Sequence, residues 1–221
     1  MDRWCTRQWI FFGLCITFVM TAVILWKWNE WNAELIITAA IAALIPIHVV
    51  EEWVFPGGFH YQYNYCMGSD QLDRYPMCRK SDMFTNLIAT FMYVGFTVYA
   101  VYNDGIVPTG IVVGTIGFCA LEVIIHTYFG VMMYRKFHSA GKQTIYGPGS
   151  LTAYLCFGAW GAILCYGVNW NQLTGGDWLL AASVVLIGVG LLSVLLPESL
   201  IKKRDNDYFF HSAGYFERFI N

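Results

Sequence analysis

His48-Val49-Val50-Glu51-Glu52 sets one imidazole and two carboxyl groups within five consecutive residues. Glu122-Val123-Ile124-Ile125-His126 sets another carboxyl and another imidazole four residues apart. Imidazole and carboxylate together suit zinc, iron or manganese. They also suit acid–base chemistry, with or without a metal. On a helix, positions i, i+3 and i+4 share a face, so His48, Glu51 and Glu52 project to one side of their segment. Glu122 and His126 share a face of theirs by the same rule. Both motifs interrupt long apolar runs, where ionisable side chains are costly and face the protein interior, a partner or water.

The elements that must position these groups are transmembrane helices. Of the 221 residues 57% are hydrophobic and 13% charged, too few charges for an ordinary soluble domain. Six nearly uncharged windows of about 20 residues meet the length needed to span hydrocarbon. They run roughly over 8–27, 33–55, 83–103, 106–134, 150–170 and 177–197. The reading is an all-α, polytopic helix bundle forming a single integral membrane domain over 1–221, with a cytoplasmic loop at 56–82 and a cytoplasmic tail at 198–221. The first run has no small-residue cleavage site and reads as a retained helix, not a signal peptide. Trp4, Trp9, Trp26, Trp28, Trp31, Trp53, Trp170 and Trp178 fall near span ends, where amphipathic rings anchor at the headgroups.

Lys and Arg set the orientation. Arg3, Arg7, Arg74, Arg79, Lys80, Arg135, Lys136, Lys142, Lys202, Lys203, Arg204 and Arg218 share one side in a six-span topology, and only Lys27 of the 13 basic residues lies on the other. The positive-inside rule then puts both termini in the cytoplasm, and the expected location is a bacterial inner membrane. In that compartment Cys66 and Cys78 do not hold a stable disulfide, and Cys5, Cys15, Cys119, Cys156 and Cys165 read as small packing residues.

Depth joins the two motifs. At about 1.5 Å per residue, His48 lies roughly 22 Å from the outer end of the second span, and Glu122 roughly 24 Å from the outer end of the fourth. Both reach the cytoplasmic third of the bilayer. Asn86 and Thr90 of the third span and Ser150 and Thr152 of the fifth enter the same layer. Pro46 stands just before His48 and can open backbone carbonyls near it.

Three chemistries follow. In the first, a divalent zinc, iron or manganese ion is held by His48, Glu52, Glu122 and His126. Glu51 is then the catalytic base, and Asn86, Thr90 and Thr152 are supporting polar groups. The protein is then a metal-dependent membrane enzyme acting on a lipidic or small apolar substrate. In the second, the same groups work without metal as an acid–base isomerase or cyclase of a lipid-like substrate, through a carboxylic acid kept protonated by an apolar cavity. In the third, the protein is a non-enzymatic accessory subunit, and Glu51 and Glu52 are interfacial residues paired with Arg74, Arg79 or Arg135. The expected partners are membrane lipids and a lipidic substrate. A membrane complex partner, met through the aromatic tail Tyr208, Phe209, Phe210, Tyr215, Phe216 and Phe219, is a further expectation. Nothing points to nucleic acid.

Elsewhere the chain reads plainly. Phe59-His60-Tyr61-Gln62-Tyr63-Asn64-Tyr65 alternates aromatic and polar residues and fits either a short strand or an interfacial segment. His60, His138 and His211 read as solvated loop histidines. Tyr146-Gly147-Pro148-Gly149 reads as a turn feeding Thr152 into the site layer.

His48-Val49-Val50-Glu51-Glu52 followed by Phe55-Pro56, with Glu122/His126 and Pro148-Gly149…Thr152, resembles the HXXEE family of integral membrane proteins, which has no assigned biochemical activity. The resemblance covers most of the membrane core and implies a multispan protein with an intramembrane site. The family pattern carries Asn before the Pro-Gly, where this chain has Gly147. A more distant likeness, of design only, is to membrane sterol isomerases and small polytopic terpene cyclases.

Overall fold

The computed structural model describes residues 8–201 and 204–220. Arg3, Trp4, Cys5, Arg7, Lys202 and Lys203, part of the charge and anchor pattern, lie outside the described residues. Six helices are long and apolar enough to cross a membrane: α1 (Trp9–Lys27), α2 (Ala33–Trp53), α4 (Arg79–Tyr102), α5 (Thr109–Phe137), α6 (Ser150–Gly167) and α7 (Gly175–Leu200). A short α3 (Phe59–Cys66) lies between α2 and α4, and α8 (Glu217–Ile220) ends the tail. Among the described residues there is no strand.

α2 is the central span. Of its apolar window 61% is buried, against 22% for α7. Asn32 starts it by accepting a hydrogen bond from Leu35 N. Pro46 lies inside it and cannot donate to the preceding turn, where Thr17 of α1 donates to Ala43 O at 2.7 Å. α5 packs closely on α7 through Gly110 and Gly114, four residues apart. A Cβ on either would come within 2.7 Å of the α7 side chains Leu180 and Val184.

Several boundaries move outward from the apolar runs. α4 begins at Arg79, four residues before its run, because Cys78 and Ser81 cap it reciprocally. α7 runs on to Leu200 and is wound as a wider π-helix over Ser183–Leu195. These extensions bring Asp82 and Glu198 into the spans.

The alternating aromatic segment folds as the helix α3, not as a strand. Its period of two resolves into two helical pairs. Phe59 and Tyr63 face Phe129, while Tyr61 and Tyr65 pack with Met133, Phe137 and Phe216. Asn64 holds the following loop, donating to Leu72 O and Met77 O and accepting from Met77 N.

The tail folds back over this loop. Arg79 N donates to Tyr208 O, Phe210 N to Asp73 O and Tyr215 N to Gly57 O. Phe216 is fully buried, and Lys142, 1% exposed, donates to Tyr146 O and to the Tyr215 hydroxyl. The tail rings offered above to a membrane surface or partner are thus largely engaged within the chain. His60 corrects the expectation of a solvated histidine. It is buried, its ring stacks on Phe210 at 3.7 Å and 3°, and burial pushes its pKa down to about 3. His138 and His211 are exposed.

Candidate functional site

The two motifs meet. His48 and Glu52 occupy successive turns of α2, and Glu122 and His126 successive turns of α5. His48 Nε2 and His126 Nε2 stand 3.2 Å apart. Glu52 Oε1 lies 3.3 Å from the first and 3.6 Å from the second. Glu122 Oε2 lies 3.5 Å from each. His48, Glu52 and His126 are buried, and the Glu122 side chain is 21% exposed.

These separations fit a metal. Nitrogen and oxygen ligands at 2.0–2.1 Å from a tetrahedral ion sit about 3.3 Å from one another. His48, Glu122 and His126 each offer one ligand atom, all within 4.8 Å of one another. Glu52 contacts both imidazoles in addition. Without a cation, a proton must separate two ring nitrogens that face each other.

A second set of contacts engages the other nitrogen of His48. Glu51 Oε1 accepts from Leu151 N at 3.0 Å and from the Tyr146 hydroxyl at 3.1 Å. Glu51 Oε2 accepts from Thr152 N at 2.9 Å and from the Thr152 hydroxyl at 2.6 Å. The carboxylate therefore sits on the first turn of α6, where free N–H groups and the helix dipole favour negative charge. Thr152 has one hydroxyl proton, for which Glu51 Oε2 at 2.6 Å and Gly149 O at 3.2 Å are the acceptors. Its oxygen is then the acceptor for His48 Nδ1, 2.6 Å away. A neutral His48 is thus protonated on Nδ1, and its Nε2 lone pair faces the cluster. This is how a supporting hydrogen bond fixes a ligand's tautomer.

His126 is held differently. Among the described residues its Nδ1 has no hydrogen-bond partner, and its ring packs on Gly149. Gly149 has φ +87°, and a Cβ there would lie 2.1 Å from His126 Cε1. Gly147, where the resemblance led to an expectation of Asn, makes room for Gln62 of α3. A Cβ at Gly147 would meet Gln62 Oε1 at 2.2 Å, and Gln62 Nε2 donates to Pro148 O.

The remaining expected residues are placed as follows. Glu51 spends all the bonds above on α6 and its leading turn, and none reaches an arginine. Arg74 pairs with Asp73, and Arg79 donates to Phe209 O. Asn86 donates to the Asp82 carboxylate and lines a cavity of about 130 Å³ with His48, Glu52, Glu122 and His126. Thr90 donates to Asn86 O on its own helix and does not line this cavity.

Sequence reasoning missed Asp82, Glu198, Tyr63 and Tyr146. Asp82 and Glu198 each stand one residue beyond an apolar window, so hydropathy assigned them to loops. The helix caps and the longer α7 bring them to the cavity wall. Tyr146 was legible only as part of a turn.

A family model described as "Protein of unknown function with HXXEE motif" matches residues 39–164, more than half of the chain. The match takes in both halves of the cluster and the Pro148–Thr152 stretch. No curated protein and no solved structure matches.

Proposed function

We propose that this chain, which belongs to the HXXEE family, is a metal-dependent membrane enzyme whose His/Glu cluster acts on a lipidic or small apolar substrate. The observation that carries this reading is the convergence of His48 Nε2, His126 Nε2 and Glu122 Oε2 at ligand spacing, with the His48 lone pair aimed inward by Thr152. Glu52 completes the ligand set. The donor set suits zinc, iron or manganese. Bound there, the ion supplies a Lewis acid or a water of lowered pKa.

The protein's own groups divide the remaining work. Glu51 holds Thr152 and the α6 terminus, so its role is positioning and not proton abstraction. Glu52 and Glu122 balance a dication in a low-dielectric layer, where uncompensated charge is costly. Apolar side chains of α5 and α7 keep water away and suit a hydrocarbon substrate. Eight described basic residues lie on the face that carries α3 and the tail, which supports a cytoplasmic placement of that face and of the nearby site.

A second reading rests on the same distances. Each imidazole stands within reach of two carboxylates, so the four groups can share protons and serve a metal-free isomerase or cyclase. Metal analysis separates the two. Chain purified from metal-replete cells without chelator carries about one transition-metal ion on the first reading, and His48→Ala and His126→Ala lose it. A stable, folded wild type without metal refutes the first reading.

A further inference from the structure

The cavity beside the cluster has an uneven polar lining. Besides the His/Glu groups it is lined by the polar Asp82, Asn86 and Glu198 and by the apolar Leu121, Val189 and Val194. Asp82 is buried, and its carboxylate accepts from Trp53 Nε1 and from Asn86 Nδ2. Tyr63 and Glu198 also line the cavity, and Glu198 Oε1 is shielded from solvent and has no hydrogen-bond partner among the described residues. Among the described residues no Lys or Arg lines the cavity.

We infer that this cavity takes the head of a membrane amphiphile that donates hydrogen bonds, a hydroxyl or an ammonium, and excludes one bearing phosphate or carboxylate. This rests on the reading of the His/Glu cluster as a ligand-binding site and names its substrate class. Three observations carry it. The orphaned Glu198 oxygen is a buried acceptor, and a buried acceptor without a donor is costly until a ligand provides one. The composition of the lining points the same way. Asp82 and Glu198 add acceptor oxygens to it, and an anionic head finds no Lys or Arg there to receive it. Finally, the cavity reaches the side of the bundle. Ile125 lines it and is 37% exposed, and Glu122 is partly exposed beside it. That flank faces hydrocarbon when the helices span a membrane, so an acyl or isoprenoid tail can leave toward lipid while the head stays inside.

The test uses the full chain in nanodiscs of a zwitterionic phospholipid. Four single-chain probes share one photoreactive C16 tail and end in a hydroxyl, a primary amine, a carboxylate or a phosphate. Adducts are mapped by mass spectrometry, and metal content is measured on the same samples. The inference expects at least tenfold more labelling of Ile125, Val189 and Val194 by the hydroxyl or amine probe than by either anionic probe. Glu198→Gln lowers the amine signal more than the hydroxyl signal if the natural head is cationic, and the two equally if it is neutral. Val189→Trp, which fills the cavity, abolishes specific labelling with metal retained. Equal or stronger labelling by an anionic probe, or labelling unaffected by Val189→Trp, overturns the inference. Head-group preference without metal overturns the metal reading alone. Metal without head-group preference overturns this inference alone.

Discussion

His48 Nδ1 and Thr152 Oγ1 stand 2.6 Å apart, joining α2 to the first turn of α6 at the level of the His/Glu cluster. The contact is directional because the Thr152 hydroxyl donates to Glu51 Oε2 and Gly149 O and leaves its oxygen as the acceptor for His48. On a neutral imidazole this leaves the Nε2 lone pair toward the cluster, as a metal ligand requires.

Thr152→Val keeps the shape and removes the acceptor. Metal affinity should fall about 10–100-fold, the usual loss when a supporting bond to a metal-bound histidine is cut. Thr152→Ser should restore most of it. Competition with a chromophoric chelator measures both, and a valine variant with wild-type affinity would contradict the tautomer argument.

Glu51 has a role in stability. Glu51→Ala leaves Leu151 N, Thr152 N and the Tyr146 hydroxyl without their acceptor. A cost of about 1–3 kcal/mol is expected, read as a lower unfolding midpoint in detergent. Glu51→Gln keeps one acceptor oxygen and should lose less. A wild-type unfolding midpoint in both variants would contradict this role.

Gly147 and Gln62 should be coupled. Gly147→Asn installs the residue expected from the family pattern, but its Cβ meets Gln62 Oε1. Overpacking of this kind costs about 1–3 kcal/mol. Adding Gln62→Ala should recover part of that loss, with an interaction of at least about 0.5 kcal/mol in a double-mutant cycle. Strict additivity would show that the two positions do not compete for one space.

His60 makes the loop–tail cap sensitive to acid. Its folded pKa of about 3 lies below the ordinary 6.5. The unfolded cap therefore binds the proton first. Stability is full above about pH 6.5 and declines as the pH falls toward 3, by about 2 kcal/mol at pH 5 on a scale of about 1.4 kcal/mol per unit. Proteolysis of the tail should accelerate over that range, and His60→Phe should flatten the response. A wild-type tail equally protected at pH 7 and pH 5 would contradict it.

Helix periodicity and depth together were enough to join His48 and Glu52 to Glu122 and His126, because the membrane limits where each span begins. The limits of hydropathy explain what was missed. Asp82 and Glu198 follow their helices past the apolar windows, held by a reciprocal cap at Cys78 and Ser81 and by the long winding of α7. α3 hid its helix behind a period of two, since Phe59/Tyr63 and Tyr61/Tyr65 are both alternating and four residues apart. His60 looked like a loop residue because nothing local announces that Phe210, 150 positions later, will cover it.

The central claim is that His48 and His126 hold one metal ion through Nε2 with carboxylate from Glu122 and Glu52. X-ray absorption at the edge of the co-purified metal tests it most directly. The account predicts a shell of nitrogen and oxygen scatterers at about 2.0–2.1 Å with the multiple-scattering signature of two imidazoles, reduced to one in His126→Ala. A bound metal without imidazole scattering, or one whose shell is unchanged in both His48→Ala and His126→Ala, would contradict it.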